Sequence, residues 1–137
     1  SLYRPGPPEG FFQILAGMGV GLAGQSILDL GTGTGVLARR FAQAGAKVSA
    51  LDLSNEQIEA ARKESRLENV KVDFRVGAAE GLPFSNQSFD AVTANQCWLY
   101  FEASRAIPEV KRVLKKGGVL LTSHFCWLPR QDEIARQ

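Results

Sequence analysis

The sequence predicts an α/β fold: a doubly wound, mostly parallel sheet of about five strands in the order 3-2-1-4-5, with helices on both faces. Short apolar runs alternate with helical patterns along the chain, which is typical of strand–helix–strand units. The apolar run at residues 27–30 leads directly into a glycine-rich turn at residues 31–35. A second apolar run ends in Asp52, at the spacing that one crossover helix requires. These features favour parallel strands joined by right-handed crossovers.

The composition limits the chain to one domain and argues against several classes of partner. A chain of 137 residues can bury one sizeable core but not two. The net charge is only +2 and no basic run concentrates it, so we expect no nucleic acid partner. Cys97 and Cys126 are too few for a disulfide framework or a metal cluster, which predicts no metal site and a reducing, cytoplasmic compartment. The apolar stretch at residues 11–23 is too short to span a membrane, so we expect no membrane partner.

Three parts can be distinguished along the chain. Residues 1–25 are expected to form an N-terminal segment with a capping helix from about residue 9 to residue 18, because the prolines of the first ten residues precede a helical pattern. Residues 26–125 are expected to form the α/β core. Residues 126–137 are expected to form a poorly ordered tail.

Local signals mark the elements of the core. Gly45 and Gly117 are suited to end helices, and Ser54 with Gln57 is suited to begin one. The expected helices of the core are residues 36–44, 54–66 and 103–116. The expected strands are residues 27–30, 47–52, 70–76, 89–95 and 119–125.

The glycine turn is the strongest functional signal. Gly31, Gly33 and Gly35 alternate along the turn, and glycine is needed where the backbone turns at positive φ or where a ligand approaches closely. The following helix directs its free N–H groups at the same place. A dinucleotide-binding turn of the form G-x-G-x-x-G would carry glycine or alanine where this chain has Val36. The carboxylate of Asp29 also suits a ligand with an ammonium or sulfonium charge better than it suits a pyrophosphate.

Residues 29–35, Asp-Leu-Gly-Thr-Gly-Thr-Gly, resemble motif I of the class I S-adenosylmethionine-dependent methyltransferases. Three further segments resemble that family in the correct order: Gly-Ala-Ala-Glu-Gly-Leu-Pro-Phe at 77–84, Ser-Phe-Asp-Ala-Val at 88–92, and Glu-Val-Lys-Arg-Val-Leu-Lys-Lys-Gly-Gly at 109–118. The resemblance implies a Rossmann-like fold, S-adenosylmethionine as cofactor and methyl transfer by in-line displacement. The implied acceptor is a small molecule, as in the small-molecule, type 11-like members.

Asp52 is the expected ribose-binding residue. The spacing of a strand–helix–strand unit places its carboxylate beside the glycine turn, where it can accept hydrogen bonds from both ribose hydroxyls. The alternative is that Asp52 only caps the next helix, a role that Ser54 and Gln57 already fill.

The third segment departs from the family pattern. Ala78 stands where the family carries an aspartate that accepts from the adenine amino group. Adenine would then be held by the backbone N–H of Ala79 and by apolar contact, or by Glu80. Loss of one charge-assisted hydrogen bond costs about 1.5–3 kcal/mol, so we expect affinity lower by one or two powers of ten.

The resemblance and the spacing together give one set of candidate residues. The expected cofactor-binding residues are Asp29, Gly31, Thr32, Gly33, Gly35, Asp52, Leu53, Ala78, Ala79, Glu80, Asn95 and Gln96. The sequence identifies no general base, and the catalytic candidates are His124, at the end of the fifth strand, and Tyr100.

Members of this family add antiparallel strands after the fifth strand, and we expect these to be absent from the 137 residues. The chain therefore resembles a C-terminally incomplete enzyme whose fifth strand is an exposed edge, which predicts a homodimer through that strand. Two other hypotheses stay open: an NAD(P)-dependent oxidoreductase, and a fragment that binds the cofactor without catalysing transfer.

Overall fold

The computed structural model describes residues 9–95 and 102–123 of the chain. Within these residues the strands are β1 (Ser26–Leu30), β2 (Lys47–Asp52), β3 (Asp73–Val76), β4 (Phe89–Asn95) and β5 (Leu114–Ser123). The helices of the same residues are α1 (Glu9–Gly17), α2 (Val36–Gln43), α3 (Asn55–Glu68) and α4 (Ala103–Val113). The strands form one sheet in the order β3-β2-β1-β4-β5, with each pair of neighbours parallel. The predicted doubly wound α/β fold is confirmed.

Both faces of the sheet are covered by helices, which explains why its central strands are apolar at nearly every position. Ile27 and Leu28 are adjacent on β1, are both fully buried, and belong to different core clusters. The first cluster joins the sheet to α1, α2 and α3 through Leu15, Leu37, Phe41, Ile58 and Ala61. The second joins it to α4 through Ala106, Val110 and Val113.

The topology determines where a ligand can bind. The chain moves from β1 outward to β2 and β3, and then returns to place β4 on the other side of β1. The strand order therefore reverses between β1 and β4, and in such sheets the crevice for a ligand lies at the carboxyl ends of these strands. The glycine loop, defined here as residues 31–35, follows β1 at this edge.

The boundary between α4 and β5 differs from the prediction. The helix ends at Val113 rather than residue 116, and Leu114 already pairs with Phe89 on β4. The register then shifts, so that Ala91 pairs with Val119 and the intervening residues form a bulge in which Gly117 has φ of 83°. Strand pairing with β4 therefore outweighs the helix propensity of the two lysines at 115 and 116.

Smaller differences occur at β3 and α3. The third strand begins at Asp73 rather than residue 70. The second core helix extends to Glu68, and Ser54 caps it by accepting a hydrogen bond from the backbone N–H of Gln57 at 3.2 Å, as predicted. Asn69 ends this helix in the left-handed conformation at φ of 57°.

Parts of the predicted organisation lie outside the described residues. These are the first eight residues, the segment 96–101, and everything from residue 124 onward, including the end of the predicted fifth strand. The division at residues 25 and 125 therefore stays a prediction. Among the helices that the structure describes, none has the length and apolar character needed to cross a bilayer.

Candidate functional site

The glycine loop turns at every second residue. Gly31, Gly33 and Gly35 have φ of 63°, 60° and 82°, a region that side chains with a Cβ rarely occupy. The backbone N–H of Thr32 donates to the carbonyl of Leu51 on β2 at 2.8 Å, and this bond fixes the loop to the neighbouring strand. Positive φ, one of the two reasons for glycine that the sequence offered, is confirmed at all three positions, and the close approach of a ligand stays a prediction.

Two of these glycines meet different surroundings. A Cβ on Gly35 would lie 2.8 Å from Cζ of Phe74 and 3.1 Å from Cβ of Ala61, so this glycine allows the loop to pack against β3 and α3. A Cβ on Gly33 would meet no atom within 4 Å. Gly33 therefore lies beside open space in the described structure, whereas Gly35 is a packing position.

Asp52 lies at the carboxyl end of β2 and contacts the glycine loop directly. One carboxylate oxygen, Oδ2, accepts from the backbone N–H of Gly33 at 2.8 Å. The other, Oδ1, accepts from the backbone N–H of Ser54 at 2.9 Å, which also stabilises the start of α3. Because each carboxylate oxygen has two lone pairs, both can accept a further hydrogen bond. The two predicted roles of Asp52, capping and ribose binding, are thus compatible.

Asp29 lies beneath the glycine loop rather than on its surface. Only 2% of the residue is exposed. Its Oδ2 accepts from the hydroxyl of Thr32 and its Oδ1 accepts from the hydroxyl of Thr93, both at 2.7 Å. Burial raises the pKa of Asp29 to about 6, while the two hydroxyls lower it and the charge of Asp52 raises it further. Asp29 therefore holds the glycine loop from beneath, through the side chain of Thr32.

The raised pKa of Asp29 predicts a pH-dependent stability. Its folded pKa of about 6 lies above its ordinary value of 3.8, so the folded protein holds a proton that the unfolded chain releases between these values. This contribution is complete below pH 3.8 and is lost as the pH rises through 6. We expect wild type to lose about 2 kcal/mol relative to Asp29→Asn between pH 4 and pH 7, measured by urea unfolding. Parallel pH profiles for the two proteins would contradict the raised pKa.

The third segment, residues 77–84, follows β3 at the carboxyl ends of the strands, where the glycine loop also lies. The backbone N–H of Gly77 donates to the carbonyl of Asp52 at 2.9 Å, so the segment begins beside the ribose candidate. Ala79 is buried and Ala78 is half-buried. The carboxylate of Glu80 accepts from the backbone N–H of Glu102 at 2.8 Å, which ties this segment to the start of α4.

An ion pair on α4 holds the third segment, a role that the sequence did not indicate. Arg112 donates to the carbonyls of Phe84 and Leu82 at 2.7 and 2.9 Å, and it bonds Glu109 at 2.9 Å. Glu109 in turn accepts from the backbone N–H of Leu82 at 2.8 Å. Their mutual hydrogen bonds lower the pKa of Glu109 and raise that of Arg112. The spacing of the pair was visible in the sequence, but its partners were not.

A buried arginine holds the other end of the glycine loop. Arg39 on α2 is 7% exposed, pairs with Glu68 on α3 at 3.0 Å, and donates to the carbonyl of Thr34. A buried arginine needs such partners, because an unpaired buried charge is costly. Arginine within an apolar helical pattern is the only sequence signal that could have indicated this contact.

Apolar surface flanks the carboxylate of Asp52. Leu53 is 65% exposed, and Val76, which pairs with Asp52 across β2 and β3, is 48% exposed. The predicted residues Gln96, Tyr100 and His124 lie outside the described residues, and Asn95 is the last residue of β4, where it pairs with Ser123 on β5. The structure therefore joins Asp29, the glycine loop and Asp52 by hydrogen bonds, and it connects the third segment to Asp52 through the backbone of Gly77.

A cavity of about 790 Å³ opens at the amino ends of the strands, where Ser26, Lys47 and Asp73 begin β1, β2 and β3. Doubly wound sheets bind ligands at the carboxyl ends of their strands, so we place the candidate site at the glycine loop instead. Among the described residues, no group of three or more histidine, cysteine, aspartate or glutamate side chains could hold a metal ion.

Comparison with known proteins gives independent information. The family model described as a methyltransferase domain matches residues 28–122. An uncharacterized methyltransferase of Mycobacterium tuberculosis is 38% identical over 128 residues, which are 93% of this chain and 48% of that protein. A ubiquinone biosynthesis O-methyltransferase of Xanthomonas oryzae pv. oryzae is 39% identical over 116 residues, which are 83% of this chain and 48% of that protein. The chain thus spans about half the length of these curated relatives.

A solved structure agrees with these relatives. The YcgJ protein of Bacillus subtilis superposes with a TM-score of 0.78 and 30% sequence identity, over 93% of this chain and 56% of that chain. The range that the family model matches includes the glycine loop, Asp52 and the third segment. The predicted Rossmann-like architecture is confirmed, and the chain belongs to the methyltransferase domain family that its motifs resemble.

Proposed function

We propose that this chain binds S-adenosylmethionine at the carboxyl ends of β1, β2 and β4 and supports methyl transfer to a small-molecule acceptor. The observation that carries the proposal is the carboxylate of Asp52, which the N–H groups of Gly33 and Ser54 hold at 2.8 and 2.9 Å. A fixed carboxylate beside an open glycine loop suits a ligand with a vicinal diol, since two oxygens can accept from two hydroxyls.

The chemistry of the residues present fits this cofactor. Asp52 would accept from the ribose hydroxyls, and the backbone beside Gly33 would receive the amino acid portion of the ligand, because the space next to Gly33 is open. Asp29 would act from beneath through Thr32. The bound cofactor supplies a methyl group on a positively charged sulfur, which is already activated for transfer. The chain itself then has to bind and orient the reactants, and a hydroxyl acceptor would in addition need a base to take up its proton.

Apolar contact would hold the adenine. Leu53 and Val76 expose apolar surface beside Asp52, and the third segment follows Val76 directly in the sequence. Ala78 offers no carboxylate to the adenine amino group, and the hydrogen bond from the backbone N–H of Glu102 holds the Glu80 carboxylate at the start of α4. We therefore expect binding through Asp52 and apolar contact, with an affinity below that of relatives that carry the aspartate.

The proposed acceptor class rests on the relatives. One of them is named as an O-methyltransferase of ubiquinone biosynthesis, whose acceptor is a small molecule. The catalytic candidates Tyr100 and His124, and the cofactor candidate Gln96, stay predictions. A cytoplasmic location, the absence of a nucleic acid partner and a homodimer through β5 also stay predictions.

Calorimetric titration distinguishes this proposal from a nicotinamide-dependent enzyme. We expect saturable heat with S-adenosylhomocysteine, the stable product of methyl transfer, and none with NADH. Val36 supports this expectation, since the dinucleotide pattern carries glycine or alanine at that position. Heat with NADH alone would reverse the assignment. Transfer of labelled methyl groups to a panel of small phenols and quinols would then remove the hypothesis of a non-catalytic fragment.

Gly33→Ala is expected to lose cofactor affinity while keeping the fold. The new methyl group would enter the open space beside the loop. The positive φ of 60° at residue 33 adds backbone strain of about 1–2 kcal/mol once that residue carries a Cβ. We expect S-adenosylhomocysteine to bind about 10- to 100-fold more weakly by calorimetry. Gly24→Ala is the matched control, because it has φ of 86° and equally open surroundings but lies in the loop before β1. Equal affinities for the two variants would argue against ligand contact at Gly33.

A further inference from the structure

Thr93 is a polar residue in an otherwise apolar part of β4. It is 1% exposed and stands among Ala91, Val92 and Ala94, which are all fully buried. A buried hydroxyl without a hydrogen bond is costly, so such a residue needs a specific partner. Its partner is Asp29 on β1, whose Oδ1 accepts from the hydroxyl at 2.7 Å.

The same carboxylate links Thr93 to the glycine loop. The Oδ2 of Asp29 accepts from the hydroxyl of Thr32 at 2.7 Å, and the backbone N–H of Thr32 donates to Leu51 on β2 at 2.8 Å. A continuous chain of hydrogen bonds therefore runs from β4 through β1 to the loop and on to β2. Thr32 is held from its side chain and from its backbone, between Gly31 and Gly33, which are two of the three glycines that shape the loop.

This chain of hydrogen bonds depends on ionised Asp29. An ionised carboxylate can accept from both threonine hydroxyls, whereas a protonated carboxyl carries its own hydrogen and must donate it to an acceptor. Protonation therefore requires at least one of the two threonine hydroxyls to give up its present arrangement. Thr93 is enclosed on all sides whereas Thr32 is half-buried, so we expect the hydroxyl of Thr32 to be the one that turns away, and the loop then loses the side-chain contact that holds it.

We propose that Thr93 is a positioning residue for the glycine loop, and that through Asp29 it makes the hold of the loop on the adenosyl cofactor depend on proton binding. This inference rests on the proposed function, because it assigns the loop to cofactor binding. It adds a residue of β4 that neither the motifs nor the spacing of the sequence indicated.

The surroundings of Asp29 place its titration in an accessible range. Burial raises its pKa to about 6, and the hydroxyls of Thr32 and Thr93 oppose that effect. From β2 the charge of Asp52 acts in the same direction as burial, while β4 and the loop present the two hydroxyls. Ionised Asp29 thus predominates above pH 6, and we expect affinity for S-adenosylhomocysteine to fall below that value.

The test compares wild type with Thr93→Val, which removes the hydroxyl at nearly constant volume, and with Thr93→Ser, which keeps it. The carboxyl carbon of Asp29 is followed by 13C NMR between pH 5 and pH 8.5 and is assigned with Asp29→Asn. We expect the titration midpoint of the Asp29 carboxyl to rise by about one pH unit in Thr93→Val, because ionised Asp29 loses one hydrogen bond. We expect Thr93→Ser to titrate like wild type.

Calorimetry with S-adenosylhomocysteine gives the second measurement. At pH 6.5 we expect Thr93→Val to bind about threefold more weakly than wild type, and at pH 8.5 we expect the difference to disappear. If Thr93→Val does not fold, Thr32→Val removes the other hydroxyl that bonds Asp29, at the loop end of the chain of hydrogen bonds. This substitution should also raise the titration midpoint of the Asp29 carboxyl.

Two results would overturn the inference. One is an Asp29 midpoint that is equal in wild type and Thr93→Val, and the other is a wild-type affinity that does not change between pH 5 and pH 8.5. Failure of wild type to bind S-adenosylhomocysteine at any pH would instead overturn the proposed function, and the NMR titration would still decide whether Thr93 controls proton binding at Asp29.

Discussion

Asp52→Ala is expected to weaken the binding of S-adenosylhomocysteine by about 30- to 1000-fold, which corresponds to about 2–4 kcal/mol. The substitution removes the acceptor for both ribose hydroxyls. It also removes the partner of the Gly33 N–H, so the glycine loop loses its contact with the end of β2. Calorimetric titration at pH 8 measures the effect under conditions in which Asp29 is ionised.

Asp73→Ala is the matched control for this measurement. Asp73 begins the neighbouring strand β3, at the end of the strands that lies away from the glycine loop. Its carboxylate pairs with Arg75 at 3.0 Å. We expect this variant to bind like wild type, since surface ion pairs of this kind contribute little. Equal affinity of Asp52→Ala and wild type would remove Asp52 from the site.

Gly35→Ala is expected to lower the free energy of unfolding by about 2–4 kcal/mol. The new Cβ would lie 2.8 Å from the ring of Phe74 and 3.1 Å from Ala61, both buried in the first core cluster. The positive φ of 82° adds backbone strain to this overlap. Urea unfolding at constant pH measures the loss.

Gly24→Ala separates strain from overlap in this experiment. Its φ of 86° is nearly the same as that of Gly35, but a Cβ there would meet no atom within 4 Å. We expect this variant to lose only about 1–2 kcal/mol. If both variants lost the same amount, the contact with Phe74 would not explain why position 35 is glycine.

The parts of the fold that the sequence predicted correctly are those with strong local signals. The glycine loop is visible because three glycines alternate between an apolar run and a helical pattern, and β4 is visible because a short, mostly apolar segment follows the polar turn residues 85–88. Asp52 was predictable for a topological reason, because one crossover helix returns the chain to the same edge of a parallel sheet.

The remaining features depend on contacts between residues far apart in the chain. Thr93 meets Asp29 across 64 positions, and Glu109 meets Leu82 across 27. No local pattern relates such residues, so their hydrogen bonds become visible only in the folded sheet. The early end of α4 has the same origin, since Leu114 leaves the helix to pair with Phe89.

The surroundings of Asp29 differ from those that the sequence suggested. A carboxylate two residues before the first glycine was expected to face a cationic ligand, but the structure buries it under the loop with both oxygens bonded to threonine hydroxyls. Its negative charge can still favour a positive ligand at short range, because the buried surroundings screen it weakly. Its hydrogen bonds give it a second role, which is to hold the loop.

The most direct test of the central claim is a crystal structure of the chain with S-adenosylhomocysteine at pH 8. We predict that both ribose hydroxyls lie within hydrogen-bond distance of the Asp52 carboxylate, and that the amino acid portion of the ligand lies against the backbone of Gly33. A ligand bound elsewhere, with the glycine loop and Asp52 free of contact, would contradict the account.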